Sequence, residues 1–211
     1  MKIGTPLGLA FVSGINAYLP LLLFAVSVRW LHLYSLNPNF SFIVSDWFII
    51  VLVALTIADF VADKFPVIDH TWDGIHTVVR PISGALVAAA SSNQLFIPTS
   101  SDVTSNQMLG IVAPAAINLN MQGIGIVLIA IIGGLLAATT HTAKSSTRLL
   151  STVTTAGFLN IALSISEDVF VVIATLLSLF VPAVMLLLIV VSLVIVGPRL
   201  YRLWSGRLHR H

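Results

Sequence analysis

Apolar residues fill this chain in blocks that are too long and too continuous to be one face of a water-soluble helix. Val169 to Val196 contains no charged residue, and a helical bilayer crossing needs only about 20 apolar residues. Polar and basic breaks divide the chain into blocks at about 5–28, 46–63, 75–97, 122–141, 149–166 and 168–197. This pattern predicts an all-α, polytopic membrane fold of about six helices, some of them partly re-entrant. Arg80 and Pro81 interrupt the third block. The fifth holds Thr152, Thr154, Thr155, Gly157 and Asn160, so it reads either as a full crossing or as a broken, re-entrant segment. Pro182 predicts a kink in the sixth. Residues 98–121, rich in Ser, Thr, Asn and Pro, read as an external loop with a short interfacial helix near 108–117. Nothing marks a second domain, so residues 1–211 read as one transmembrane unit.

Composition sharpens this picture. The chain is 57% hydrophobic and 9% charged, with a mean hydropathy of +1.03. Soluble domains carry about 25% charged residues, so this inventory could not cover a water-exposed surface. The pI near 9.3 reflects a formal excess of only two positive charges. Much of that excess lies in the tail "RLYRLWSGRLHR", which suits a headgroup-facing end rather than nucleic acid. The expected partners are membrane lipids and a small anionic solute or lipid headgroup. There is no cysteine, hence no disulfide or thiolate site. Asn16 and Pro20 interrupt the first apolar run, which reads as a retained span rather than a cleaved leader. With six crossings and both termini cytosolic, Lys2, Lys64, Arg80, Lys144, Arg148 and the tail fall on the inner side, leaving only Arg29 outside. If the fifth segment only dips in and returns, the inner tail instead requires an external N-terminus.

The stretch "DHTWDGIHTVVRP", residues 69–81, concentrates charge in a chain that has little. Asp69, Asp73, His76 and Arg80 are spaced 4, 3 and 4 apart, which is one stripe on a helix. Gly134, Ala137, His141, Lys144 and Arg148 form a second stripe, with small residues that allow close helix approach before three basic groups. Ionisable groups do not face lipid without a cost of several kcal/mol, so the stripes face protein, water or headgroups. Placed together, they form either a binding or proton-relay face or a self-neutralising network that holds helices together. A divalent metal at Asp69, Asp73 and His76 is disfavoured by Arg80 on the same face, and neither a metal nor a cofactor is expected. Asp63 and Lys64 read as a span end. Asp59, one turn deeper, reads either as a proton- or cation-coupling carboxylate or as half of an internal ion pair. Asn16, near Gly14 and Pro20, marks a candidate helix break or a helix–helix hydrogen bond, and Asn160 is a second break candidate. Glu167 and Asp168 are expected to open the last span, where negative charge suits the helix dipole.

No nucleophile motif, phosphate-binding glycine loop or HExxH pattern is present, so an enzyme is the less favoured class. The segments "GLAFVSGINAYLPLLL", "VADKFPVIDHTWDGIHTVVRPISGAL" and "HTAKSSTRLL…SEDV" resemble the bacterial membrane proteins grouped as domain of unknown function 4126. The resemblance covers most of the chain outside 98–121 and has no established activity attached to it. It points to Asp63, Lys64, Pro66, Asp69, Trp72, Asp73, His76 and Arg80 as a motif, partnered by His141, Lys144 and Arg148. It also implies a Pro-Glu-Pro element where this chain reads Thr154 to Gly157. The expected function is binding or movement of a small polar or anionic solute, with proton coupling. The alternatives are a structural or assembly role for the stripes, or an enzyme acting on a lipid phosphate.

Overall fold

A computed structural model describes residues 3–36, 38–62, 66–92, 121–155 and 158–208, and they are helical throughout apart from short connections. The helices are α1 (Gly4–Ser13), α2 (Leu19–Arg29), α3 (Asp46–Ala62), α4 (Pro66–Ser91), α5 (Met121–Thr155), α6 (Phe158–Phe180) and α7 (Pro182–Leu208), with a 3₁₀ segment at Pro38–Val44. The expected loop at 98–121 falls almost wholly outside the described residues. Among the described residues, two helical stretches, Gly123–Leu149 and Ala162–Phe180, are long and apolar enough to cross a membrane, with mean hydropathies of 2.2 and 1.9.

The divisions differ from the sequence pattern at three places. The block 5–28 is two helices, separated between Ser13 and Leu19. The block 149–166 is divided between the end of α5 and the start of α6. Pro182 does not kink a helix but starts one. Proline cannot donate a backbone hydrogen bond and its ring clashes with the carbonyl four residues back, whereas the first helical position tolerates both properties. Helix α6 therefore stops at Phe180 and α7 begins at Pro182. Glu167 and Asp168 consequently lie inside α6 and do not open a span. Pro81, by contrast, is accommodated within α4.

Contacts fix the direction of each helix. Gly4, at the start of α1, packs against Pro182. The chain just after α2 returns to the same level, where the Tyr34 hydroxyl donates to the Leu179 carbonyl. The α1–α2 turn lies far from that end, beside Thr140, Lys144 and Ser83. The first two helices thus form a hairpin that enters the bundle and turns back. Helix α3 runs from Asp46, paired with Arg29 at the outer end of the hairpin, to Asp59, beside His76 near its tip. Helices α4 and α5 are antiparallel, with Gly84 against Gly133 and Ala137, and Arg80 against His141. A Cβ at Gly84 would lie 3.0 Å from the Gly133 carbonyl oxygen, so glycine here sets the closeness of the seam. Helix α6 runs back from Glu167 to Leu179, and α7 descends from Pro182 past Met185 and Ile189, which pack with Phe11 and Val12.

Burial is inverted relative to a soluble protein. Asp59, His76, Arg80, His141, Lys144 and Arg148 are buried. Trp47, Ile50, Ile57, Ile82, Leu128, Ile131, Leu135, Leu187, Val190 and Val194 are exposed. Large contiguous apolar surface is rare on soluble monomers, where lysine, arginine and aspartate are almost never fully buried unless paired.

Candidate functional site

The hairpin tip creates the site. Where α1 ends, carbonyl groups lose their helical donors, and in an apolar interior each must be met by another group. Asn16 Oδ1 accepts the backbone N–H groups of Tyr18 at 3.0 Å and Leu19 at 2.9 Å, at the start of α2. Thr140 donates to the Phe11 carbonyl at 2.9 Å, Lys144 Nζ to the Ile15 carbonyl at 3.0 Å, and Ser83 to the Ala17 carbonyl. A Cβ on Gly14 would overlap the Thr140 hydroxyl and the Ala137 carbonyl, so only glycine lets the tip seat on α5.

Around this tip the two sequence stripes meet. His76 is 0% and Arg80 1% exposed. His76 Nε2 lies 3.4 Å from Asp59 Oδ1, and its ring stands edge-on to Tyr18 at 5.6 Å. The Tyr18 hydroxyl is within electrostatic reach of both Asp59 and Arg80. Arg80 donates from Nη1 to His141 Nδ1 at 2.6 Å, and His141 Nε2 is 3.3 Å from the Thr77 hydroxyl. One turn along α5, Lys144 is 3.2 Å from Glu167, and Arg148 is 2.7 Å from the same carboxylate oxygen. Ser164, one turn before Glu167, is fully buried, and its hydroxyl has no hydrogen-bond partner among the described residues.

The structure thus brings together Asn16, Asp59, His76, Arg80, His141, Lys144 and Arg148 from α3, α4, α5 and the hairpin tip. Asp69 and Asp73 lie on α4 below His76, and Asn160 lies in the first turn of α6. The side chains of all three are outside the described set, as are Asp63 and Lys64 altogether. The metal reading of Asp69 and Asp73, and most of the Thr154–Gly157 departure, also fall there.

Sequence reasoning missed Glu167, Tyr18 and Thr77. Glu167 had a sufficient local explanation as a helix-start acid, and that explanation disappears once α6 extends nine residues before it. The available signal was that two buried cations at the spacing of Lys144 and Arg148 demand a carboxylate from a neighbouring helix. Tyr18 and Thr77 become informative only when the tip is placed.

No curated protein and no solved structure matches the chain. Residues 3–202 match the family described as Domain of unknown function (DUF4126), so the chain belongs to that family.

Proposed function

We propose that the chain is an integral membrane protein which binds, and moves across the bilayer, a small polar or anionic solute with proton coupling. The observation that carries this reading is the broken α1–α2 hairpin whose tip ends in a buried cluster of ionisable side chains. Helix α1 has 10 residues, about 15 Å at the helical rise, against a hydrocarbon core of about 30 Å. The tip would then sit near the bilayer midplane. Discontinuous helices meeting polar groups at that depth are a recurring way to build a solute site, because irregular backbone is tolerated there only when buried or lining a cavity. The apolar exposed surface supports a lipid environment for the rest of the bundle.

In this reading α1–α2 enters and returns while α3 to α7 cross, giving five crossings and a re-entrant hairpin rather than six crossings. The start of α1 and the end of α7 fall at opposite ends of the bundle. The basic tail then places the end of α7 in the cytosol and the start of α1 outside, in a bacterial inner membrane.

The test is solute-driven proton flux in vesicles reconstituted with the purified chain and loaded with a pH-sensitive dye, using a panel of small anions and neutral polar solutes. Wild type should acidify the lumen with at least one solute. Arg80→Ala should abolish this while retaining its helical circular dichroism. Flux that persists in a folded Arg80→Ala protein would sink the proposal. The shared Glu167 bridge favours a second reading, in which the cluster only clamps helices. There, Glu167→Gln would lower thermal stability, Glu167→Gln combined with Lys144→Met would partly restore it, and no solute would drive flux.

A further inference from the structure

Between α2 and α3 the chain passes over the outer end of the hairpin, and its chemistry there suits neither water nor hydrocarbon. Trp30, Leu31 and Trp47 are each more than half exposed, and Leu33 and Phe42 are exposed as well. Ser35, Asn39, Ser41 and Asp46 are exposed in the same stretch.

One cation sets the level of this rim. Arg29 Nη2 lies 2.6 Å from Asp46 Oδ1, and Nη1 donates to the Val44 carbonyl at 2.5 Å. Trp30 and Trp47 each follow one member of that ion pair in sequence, and the Arg29 guanidinium also stands over the Trp30 ring at 5.3 Å. Trp47 and Phe42 both meet the Phe48 ring edge-on, at 5.4 and 5.2 Å. The two tryptophans are thus tied to one level on neighbouring helices.

In bulk water, five large apolar side chains would stay wetted at this one end. In hydrocarbon, the Asp46 carboxylate and the exposed backbone of a connection that is only partly helical would lose their polar partners. The boundary between headgroups and acyl chains accepts both, and tryptophan suits it with an apolar body and one N–H donor. Helix α3 favours lipid over a protein partner as the occupant. Every exposed position of α3 after Asp46, from Trp47 through Ile50 and Ile57 to Val61, is apolar. The rim is therefore the upper border of one continuous apolar stripe and not an isolated patch.

Building on the membrane reading above, we propose that Trp30, Leu31, Leu33, Phe42 and Trp47 form a phospholipid-binding anchor. It seats in the headgroup–acyl boundary of the leaflet at that end of the bundle. The anchor sets the depth of the buried cluster. Helix α2 has 11 residues, ending at Arg29, and so measures about 16 Å, half of a hydrocarbon core of about 30 Å. With Arg29 held at the boundary, the hairpin tip is held at the midplane. Ile57, exposed on α3 and two positions before Asp59, reports the level of the tip from the lipid side.

The chain has no cysteine, so single nitroxide labels can be placed at Leu31→Cys, Phe42→Cys and Ile57→Cys, with folding checked by circular dichroism. The full chain is reconstituted into vesicles of phosphatidylcholine and phosphatidylglycerol. Collisions of each label with oxygen, which concentrates in hydrocarbon, and with a water-soluble nickel chelate report its depth. The two rim labels should lie within about 5–10 Å of the headgroups, and the Ile57 label about 15 Å deeper. A chain carrying Trp72→Phe and Trp204→Phe keeps only Trp30 and Trp47. Its emission should be quenched more strongly by lipids brominated high on the acyl chain than by lipids brominated at the chain end. The reverse order overturns the anchor. So do rim labels that are fully open to the chelate, as deep as the Ile57 label, or shielded from both reagents by a second copy or another protein. With the Ile57 label in hydrocarbon, each of these results removes the anchor and leaves the membrane reading. An Ile57 label open to the chelate removes the membrane reading itself.

Discussion

Glu167 ties two buried cations of α5 to α6. Its carboxylate, 16% exposed, serves Lys144 and Arg148 at 4% and 8%. Removing one member of a buried pair strands the others' charge, which costs about 3–5 kcal/mol. Glu167→Gln should therefore lower stability in detergent by about that much, read from denaturant or thermal unfolding. Asp46→Ala is the matched control. Its partner Arg29 is at the solvent- or headgroup-facing periphery and Asp46 is 78% exposed, so the loss should be at most about 1 kcal/mol. Equal losses would show that Glu167 does not hold the basic stripe. Asn16→Ala removes the acceptor for two buried backbone N–H groups and should cost about 1–3 kcal/mol in the same unfolding measurement.

Among the helices, the α4–α5 seam and the hairpin tip tolerate the least change. Gly84 lies under Ala137 and the Gly133 carbonyl, so Gly84→Val must push the helices apart. Overpacking of this kind costs about 1–3 kcal/mol, and here it also separates Arg80 from His141. Gly74, on the same helix, has open space where a Cβ would stand, with nothing within 4 Å. Gly74→Ala should stabilise α4 by about 0.5–1 kcal/mol through helix propensity alone. A melting series that ranks the two substitutions the other way round would contradict the packing of α4 on α5. Helix periodicity made the two stripes legible before any fold was known. His76 and Arg80 do share a face of α4, as His141, Lys144 and Arg148 do of α5. The expectation that the two stripes would meet rested on their common membrane side, and the Arg80–His141 contact is where they touch. The partners of the stripes were not legible, because Glu167 and Asp59 come from helices whose rotation no local pattern specifies.

For the whole molecule, the hairpin decides the arrangement of the ends. In the proposed membrane orientation, an N-terminal epitope and a C-terminal epitope should be removed by protease from opposite faces of sealed vesicles. Removal of both from one face would restore the six-crossing arrangement. The all-helical character, the family and the two charged stripes follow from the residues alone, because composition, apolar run length and helical spacing are local properties. Asn16 and Pro182 stand out as irregular points on the same grounds. That Asn16 caps a turn inside the bundle and that Pro182 starts a helix emerge only from the folded arrangement, since both outcomes depend on what packs against them. The same holds for the contact between Arg80 and His141, which joins two helices across sixty-one positions and which no reading of either stripe alone contains.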